Sequence, residues 1–458
     1  MTKLPEQSVR EYVRANADKF ISELQEFCRI PSLSAADQNM EEGAAFVRQM
    51  FEKRGVKTRM LKTPRHPAVY GEIAGESDRS LLMYAHYDVQ APEPLDEWIS
   101  EPFGAHIVDG KLIARGVSDH KCSVVARIHA LEVAKAVWGR VPHTMKFIIE
   151  GEEEIGSPSL KGLLEDNKDI LKADAALYSG GIKDERDRPR VVCGSKGMCY
   201  VELVCRQASS DVHSREAPLV PNAAWRLVWA LSTLKDPVTD KVLIEGFYDD
   251  VEPPTDDDIE AVKAMDFDSD AYKQALDLPS LICGREGWEA ALHQMFSPTC
   301  TISGLTSGYQ GPGSKTVLPN KASAKIDCRL VVRQKPEDIL KKIKAHFVSH
   351  GFSDIEVRPL NFLEAHRTPL SHPLVQVIKK AAELTYDGEI ILQPIAAGSG
   401  PRYLFENILG LSMVSDCGSA NRLSAHHAPN EHIRVDDYLD NIVHMAHVYN
   451  VFSKHSGF

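Results

Sequence analysis

The sequence predicts an α/β protein with a central, mostly parallel sheet and a smaller α+β domain inserted into it. Three observations predict this. Three short apolar runs end in polar residues: "SLLMYAHYDV" (80–89), "TMKFIIEGEEEIGS" (144–157) and "DAALYSGG" (174–181). Runs of about 4–6 apolar residues suit strands buried on both faces of a parallel sheet. Helical patterns such as "CSVVARIHALEVAKAVW" (122–138) lie between them, and strands alternating with helices build a layered α/β structure. The pattern then breaks in the middle of the chain and returns after about residue 365.

Residues 8–55 read as helix, turn, helix, with "FISELQEFCRIPSLS" apolar at helical spacing and stopped at Pro31. In the middle, "GMCYVELVCR" (197–206) is strand-like, and "NAAWRLVWALSTL" (222–234) and "PEDILKKIKAHFVSHG" (336–351) are helical, the second closed by Gly351. "ASAKIDCRLVV" (322–332) alternates Ala324, Ile326, Cys328 and Leu330 with Lys325, Asp327 and Arg329, which marks a strand with one buried face. The acidic stretch 251–275 reads as a solvated surface excursion. Beyond it, "HPLVQVIKKAAELT" is a helix of the first domain again. The expected division is 1–196 with 365–458, and 197–364 as the insert.

At 458 residues the chain exceeds one ordinary core, consistent with two domains. Hydrophobic content of 43% and charged content of 26% are those of a soluble globular protein. A net charge of −12 argues against nucleic acid or an anionic membrane as partner. The opening "MTKLPEQSVREYVRANADKF" is polar, and no run reaches the ~18–20 apolar residues that span a bilayer. The nine cysteines are scattered, odd in number and without a C-x-x-C pair, so free thiols in a reducing cytoplasm are expected, with Cys199 and Cys205 in the core.

Ligands of open α/β sheets gather at the carboxyl ends of strands, where His86, Asp88 and Glu152–Glu154 fall. In His86-Tyr87-Asp88 the outer side chains point the same way along an extended chain, and a carboxylate beside a metal-bound imidazole fixes its tautomer. "EGEEEIGS" (150–157) sets four carboxylates at a strand end. Such crowding is costly unless solvent or a cation compensates, and one acid can bind metal while its neighbour acts as general base. "HHAPNEHI" (426–433) offers His426, His427 and His432 on a proline loop. Asp119-His120-Lys121-Cys122 precedes a helix and reads equally as a solvated turn. Jointly, these are donors that zinc or manganese accept. No serine elbow, Walker loop or Rossmann glycine fingerprint competes.

With these motifs in order, together with "DGKLIARGVSDHK", "DVHS…VPNAAWRLVWAL", "GSKTVLPNKASAKIDCRLV" and "AGSGP", the chain resembles the co-catalytic metallopeptidases of carnosine dipeptidase, zinc aminoacylase and succinyl-diaminopimelate desuccinylase. The dipeptidase branch fits best. The resemblance implies a two-layer catalytic α/β domain and an inserted lid. It implies that His86 binds one metal and Asp88 orients it, that Asp119 bridges two metals, that Glu153 is the general base, and that Glu154 and His427 bind the other metal. It makes His213 the lid histidine on the scissile carbonyl, and Arg329 and Ser399 the binders of the substrate carboxylate, a task that suits the guanidinium fork.

The chain departs from the family at three places. His120 and Cys122 replace the usual residues after Asp119. Ser179, or alternatively Gly180, stands where the family has a carboxylate on the His86 metal. Ala396-Ala397 precede Gly398, where glycine is preferred. A single tightly held divalent metal per chain, zinc or manganese, is therefore expected, with His120 as a conceivable replacement ligand. The expected reaction is hydrolysis of a C–N bond in a small carboxylate-bearing substrate, a dipeptide or N-acyl amino acid, by metal-activated water with Glu153 as base. One alternative is hydrolytic deamination of an aromatic amine such as a nitroanthranilate, an activity also present in the family. A second is an inactive homologue that acts as a binding protein. A homodimer or higher homo-oligomer is the family expectation.

Overall fold

The apolar runs become neighbouring strands. The computed structural model describes residues 5–457, and the polar opening 1–4 lies outside them. The strands stand in the order Lys57–Leu61, Ala68–Ile73, His143–Glu150, Ser77–His86, Ala175–Tyr178, Met413–Ser415. The last three pairings along this order are parallel, and the first two are antiparallel. Leu81–Ala85 and Phe147–Ile149 are buried almost completely, as expected of central strands covered on both faces.

The helix Cys122–Trp138 is apolar on nearly all sides, and every residue from Cys122 to Leu131 is buried, which marks a helix enclosed by its neighbours. It ends on Gly139 at φ 69, a left-handed cap. The helix Val435–Lys454 packs along it. Buried Arg127 on the first helix donates to the carbonyls of Tyr84 and Tyr178, and to Asp416 Oδ2 at 2.7 Å. One guanidinium thus fastens the ends of two strands that lead into the site. The amino-terminal region holds three helices, Pro5–Ala15, Ala17–Cys28 and Met40–Glu52, rather than the expected two.

The second unit is a four-stranded antiparallel sheet in the order Thr301–Ser307, Lys321–Leu330, Gly197–Arg206, Glu356–Leu363. Ala322, Ala324, Ile326, Cys328 and Leu330 alternate inward and form one core with Leu227 of Ala223–Leu231, and with Ile339 and Phe347 of Pro336–Ser349. The stretch 251–275 is mostly exposed, as expected of a surface excursion, but it is regular in structure. It folds into the helices Asp256–Met265 and Ser269–Ala275. The first is closed by a Thr255/Asp258 capping box, and Asp258 is buried against Arg367 at 2.6 Å. The acidic run hid a helix start, because acids are also favoured in the first turn.

The compact units run to Gly194, Thr368–Pro394 and from Leu404 on for the first, and Ser195–Arg367 with Ile395–Tyr403 for the second. The segment 395–403 thus falls with the second unit instead of the first. There the Lys196 N–H bonds Ala396 and Gly398 carbonyls, and Arg329 bonds Ser399. No helix among the described residues is long and apolar enough to cross a membrane. All nine cysteines are free, and Cys199 and Cys205 are buried.

Candidate metal centre

The strand Ser77–His86 delivers His86 to the carboxyl edge of the first unit's sheet. Its Nδ1 lies 3.1 Å from the Asp88 carbonyl and 3.3 Å from Asp88 Oδ1. Buried Asp88 also accepts the backbone N–H groups of Glu153 at 3.3 Å and Glu154 at 2.9 Å. One carboxylate therefore orients the imidazole and pins the turn that carries two further acids.

The acidic block separates into distinct tasks. Glu150 accepts from Tyr84 and Ser157, and burial pushes it up to about 8. Glu152 accepts from the His66 and Ser159 backbone and from Thr63 Oγ1, a structural clasp. Glu153 is raised to about 7 by burial, which, with Asp119, Glu154 and Asp88 as anionic neighbours, outweighs the lowering effect of His86. Its Oε1 lies 3.4 Å from the Tyr178 hydroxyl. Glu154 is raised mainly by burial, and Gln90 donates to its Oε2 at 3.0 Å.

Asp119 stands at the centre. Its Oδ1 is 3.3 Å from His86 Nε2 and 3.2 Å from His120 Nε2. Its Oδ2 is 3.0 Å from His427 Nε2, which in turn is 3.1 Å from Glu154 Oε2. Burial works against the anion, but His120, His427 and His86 hold Asp119 well below the usual carboxylate range. Two donor groups result, His86–Asp119–His120 and Asp119–Glu154–His427, each with ligand atoms within 4.8 Å of one another. His86 Nε2 is buried and makes no hydrogen bond. A buried imidazole nitrogen facing carboxylate oxygen is the arrangement a cation completes, and the donor types fit zinc or manganese.

The neighbours of Asp119 have different roles. Buried Lys121 donates to the Phe27 and Ile30 carbonyls at 3.0 and 2.6 Å, closing the helix Ala17–Cys28. Cys122 is buried as the first residue of its helix, and burial raises its thiol to about 12. His426 Nδ1 is 3.8 Å from Asp119 Oδ2, while His432 is in the strand His432–Arg434, its Nδ1 at 2.8 Å from the Asn430 carbonyl. His427 itself has φ 58, a left-handed backbone that a non-glycine residue holds at a cost of about 1–2 kcal/mol.

Of the sequence-derived residues, the structure brings together His86, Asp88, Asp119, Glu153, Glu154 and His427. The other three belong to the second unit. Arg329 donates to Ser399 Oγ at 2.9 Å and to Asp327 Oδ2 at 3.1 Å, and Ser399 donates to the Gly197 carbonyl at 3.2 Å. His213 is exposed, its Nδ1 accepting the Arg215 N–H. Sequence reasoning missed Gln90, Arg127, Tyr178 and Glu431. Only the "HHAPNEHI" context of Glu431 gave any signal. At Gly180 a Cβ would stand 2.8 Å from Gly418 Cα, so the segment has no room for a side chain there. Ser179 Oγ is buried without a hydrogen bond.

Carboxylates and imidazoles gathered at the carboxyl edge of a parallel sheet, with a protonatable acid among them, define a metal-dependent hydrolase. The chain belongs to the peptidase family M20/M25/M40, which it matches over residues 82–450, and so is a hydrolase acting on peptide bonds. It is 28% identical to the human Beta-Ala-His dipeptidase over 362 residues, 74% of this chain and 71% of the relative. It is 28% identical to the Cys-Gly metallodipeptidase dug1 of Schizosaccharomyces pombe over 402 residues, 82% and 83% of the two chains. The crystal structure of Sso-CP2, an M20 family metallo-carboxypeptidase from Sulfolobus solfataricus, superposes with a TM-score of 0.88 at 37% identity, covering 95% of this chain and 99% of that one.

Proposed function

We propose that this protein hydrolyses the amide bond of a dipeptide or N-acyl amino acid that carries a free carboxylate. The observation that carries the reading is Asp119, whose two oxygens face separate donor groups with Glu153 among their electrostatic neighbours. Asp119, Glu154 and His427 would hold one divalent ion tightly, zinc or manganese. Such an ion supplies Lewis acidity, lowering the pKa of a water and polarising a carbonyl. Glu153 would take the proton from the attacking water and pass it to the leaving nitrogen. A carboxyl that titrates near neutral pH suits both transfers. Asp88 keeps the His86 ring and the 153–154 turn in place. In the second unit, Arg329 and Ser399 take the substrate carboxylate, and His213 polarises the scissile carbonyl.

The free thiols support work in the cytoplasm. A homodimer is the assembly proposed, supported by exposed Trp225, Val228 and Trp229 on one helix and by the exposed edge strand Thr301–Ser307. The test is turnover of β-alanyl-histidine, cysteinylglycine and N-acyl amino acids by the metal-loaded chain, before and after chelation. Chelator-sensitive release of free amino acid is expected. Release of ammonia from a nitroanthranilate with no cleavage of any amide would replace this reading with aromatic deamination. Metal binding without any turnover would favour the inactive homologue.

A further inference from the structure

The two donor groups that share Asp119 differ in chemistry. Asp119–Glu154–His427 offers two carboxylates and one imidazole, whereas His86–Asp119–His120 offers two imidazoles and one oxygen of an already shared carboxylate. Donors about 2.0–2.1 Å from a tetrahedral ion stand about 3.3 Å apart. His86 Nε2 and His120 Nε2 lie 3.3 and 3.2 Å from Asp119 Oδ1. Each ring is also held from behind. His86 Nδ1 is tied to Asp88, and His120 Nδ1 lies 3.4 Å from Ser123 Oγ, which accepts the Gly180 N–H at 3.3 Å. Partners on the far nitrogen of this kind fix the orientation of ligating histidines. The two rings stand edge to face with centroids 5.3 Å apart.

We infer that His120 is a metal ligand, completing with His86 and Asp119 a second ion position that takes imidazole-seeking zinc or cobalt and rejects manganese. This rests on the reading that Asp119, Glu154 and His427 hold the first ion. The charge count sets the order of filling. The first position has two anionic ligands. The second has only a share of Asp119, so it fills later and more weakly. Ligand softness sets the selectivity: imidazole suits zinc, cobalt and nickel, while manganese follows oxygen donors and stands lowest in the divalent affinity order.

The experiment is calorimetric titration of the full-length, chelator-stripped chain with zinc and, separately, with manganese, followed by elemental analysis after desalting. Expected are two zinc steps and one manganese step in the wild type. His120→Ala should lose the second zinc step and keep the first, and His427→Ala should weaken the first. A single zinc step in the wild type, or two unchanged steps in His120→Ala, would overturn the inference and leave the first position standing. No zinc binding at all would overturn both. Should His120→Ala fail to fold, the wild type decides alone: equal zinc and manganese stoichiometry refutes the selectivity on which the assignment depends.

Discussion

Glu431 Oε1 accepts the backbone N–H of Asp119 at 3.0 Å, across 312 residues of sequence. The same oxygen takes the Ser118 N–H and hydroxyl, both at 2.9 Å. Oε2 takes the Gly116 N–H at 2.7 Å and Arg115 Nη1 at 2.8 Å. One buried carboxylate thus sets the backbone from which Asp119 projects, and it sits four residues after His427. Glu431→Gln replaces one accepting oxygen with an NH₂ that meets donors. The expected result is a ~10–100-fold loss of metal affinity, as for other groups that position a ligand from behind. Competition against a chromophoric chelator reads it, with the melting temperature as a fold control. Unchanged affinity in a folded variant would count against this role.

Glu153→Gln should remove turnover by ~10²–10⁴ or more while leaving metal content nearly intact, because the amide cannot accept a proton. The pH profile gives an independent check. A base must be ionised, so kcat should rise with pH through the Glu153 pKa. That value is about 7 in the metal-free chain, where burial dominates. A nearby dication favours the carboxylate, so the acidic limb of the loaded enzyme should lie at or below that pH. A wild-type rate in the glutamine variant excludes Glu153 as base.

The regular parts of both units were legible because they are local. Alternation in 322–332 and the apolar runs at 80–89 and 144–157 fix strands through burial alone. The residues that cluster around Asp119 were also within reach, since His86, Glu154 and His427 sit in motifs that read in order along the chain. What could not be read depends on contacts between distant segments. Nothing in "DHKC" tells that Lys121 turns away to cap the helix Ala17–Cys28 while His120 turns toward His86. Nothing near Arg127 announces that its guanidinium reaches two strand ends and Asp416. The four acids of 150–154 look alike in sequence, and only their surroundings separate a carboxyl raised by burial, a clasp, the proposed base and the proposed ligand.

Arg329→Lys should lower kcat/KM for carboxylate-bearing substrates by at least ~10-fold despite keeping the charge. The guanidinium spends Nε on Asp327 and Nη1 on Ser399, which orients the fork. An ammonium offers no planar pair of donors for a carboxylate. Most of the effect should fall on KM, and substrates amidated at the carboxyl end should lose the wild-type advantage. Equal kcat/KM for both enzymes on a free carboxylate would remove Arg329 from the binding role.

Glu23 anchors a buried ion cluster away from the metal donors. Its Oε2 is 2.5 Å from Arg54 Nη2 and 2.7 Å from His129 Nε2, and Arg54 also reaches Glu132 at 2.9 Å. Burial raises the Glu23 carboxyl, but the His129 hydrogen bond and Arg54 more than offset it, holding the group at about 2 against an ordinary 4.5. A carboxyl depressed in the folded state stabilises above its unfolded pKa, and that contribution fades as pH falls through the folded value. Glu23→Gln should therefore destabilise the first unit at pH 7 by about 2–3 kcal/mol. That is below the ~3–5 kcal/mol of a fully buried broken pair, since Glu23 keeps part of its surface in water. The melting-temperature gap between wild type and variant should be full at pH 6–8 and narrow steadily below about pH 4.5. A gap that stays constant down to pH 3 would show that Glu23 acts by packing rather than by charge.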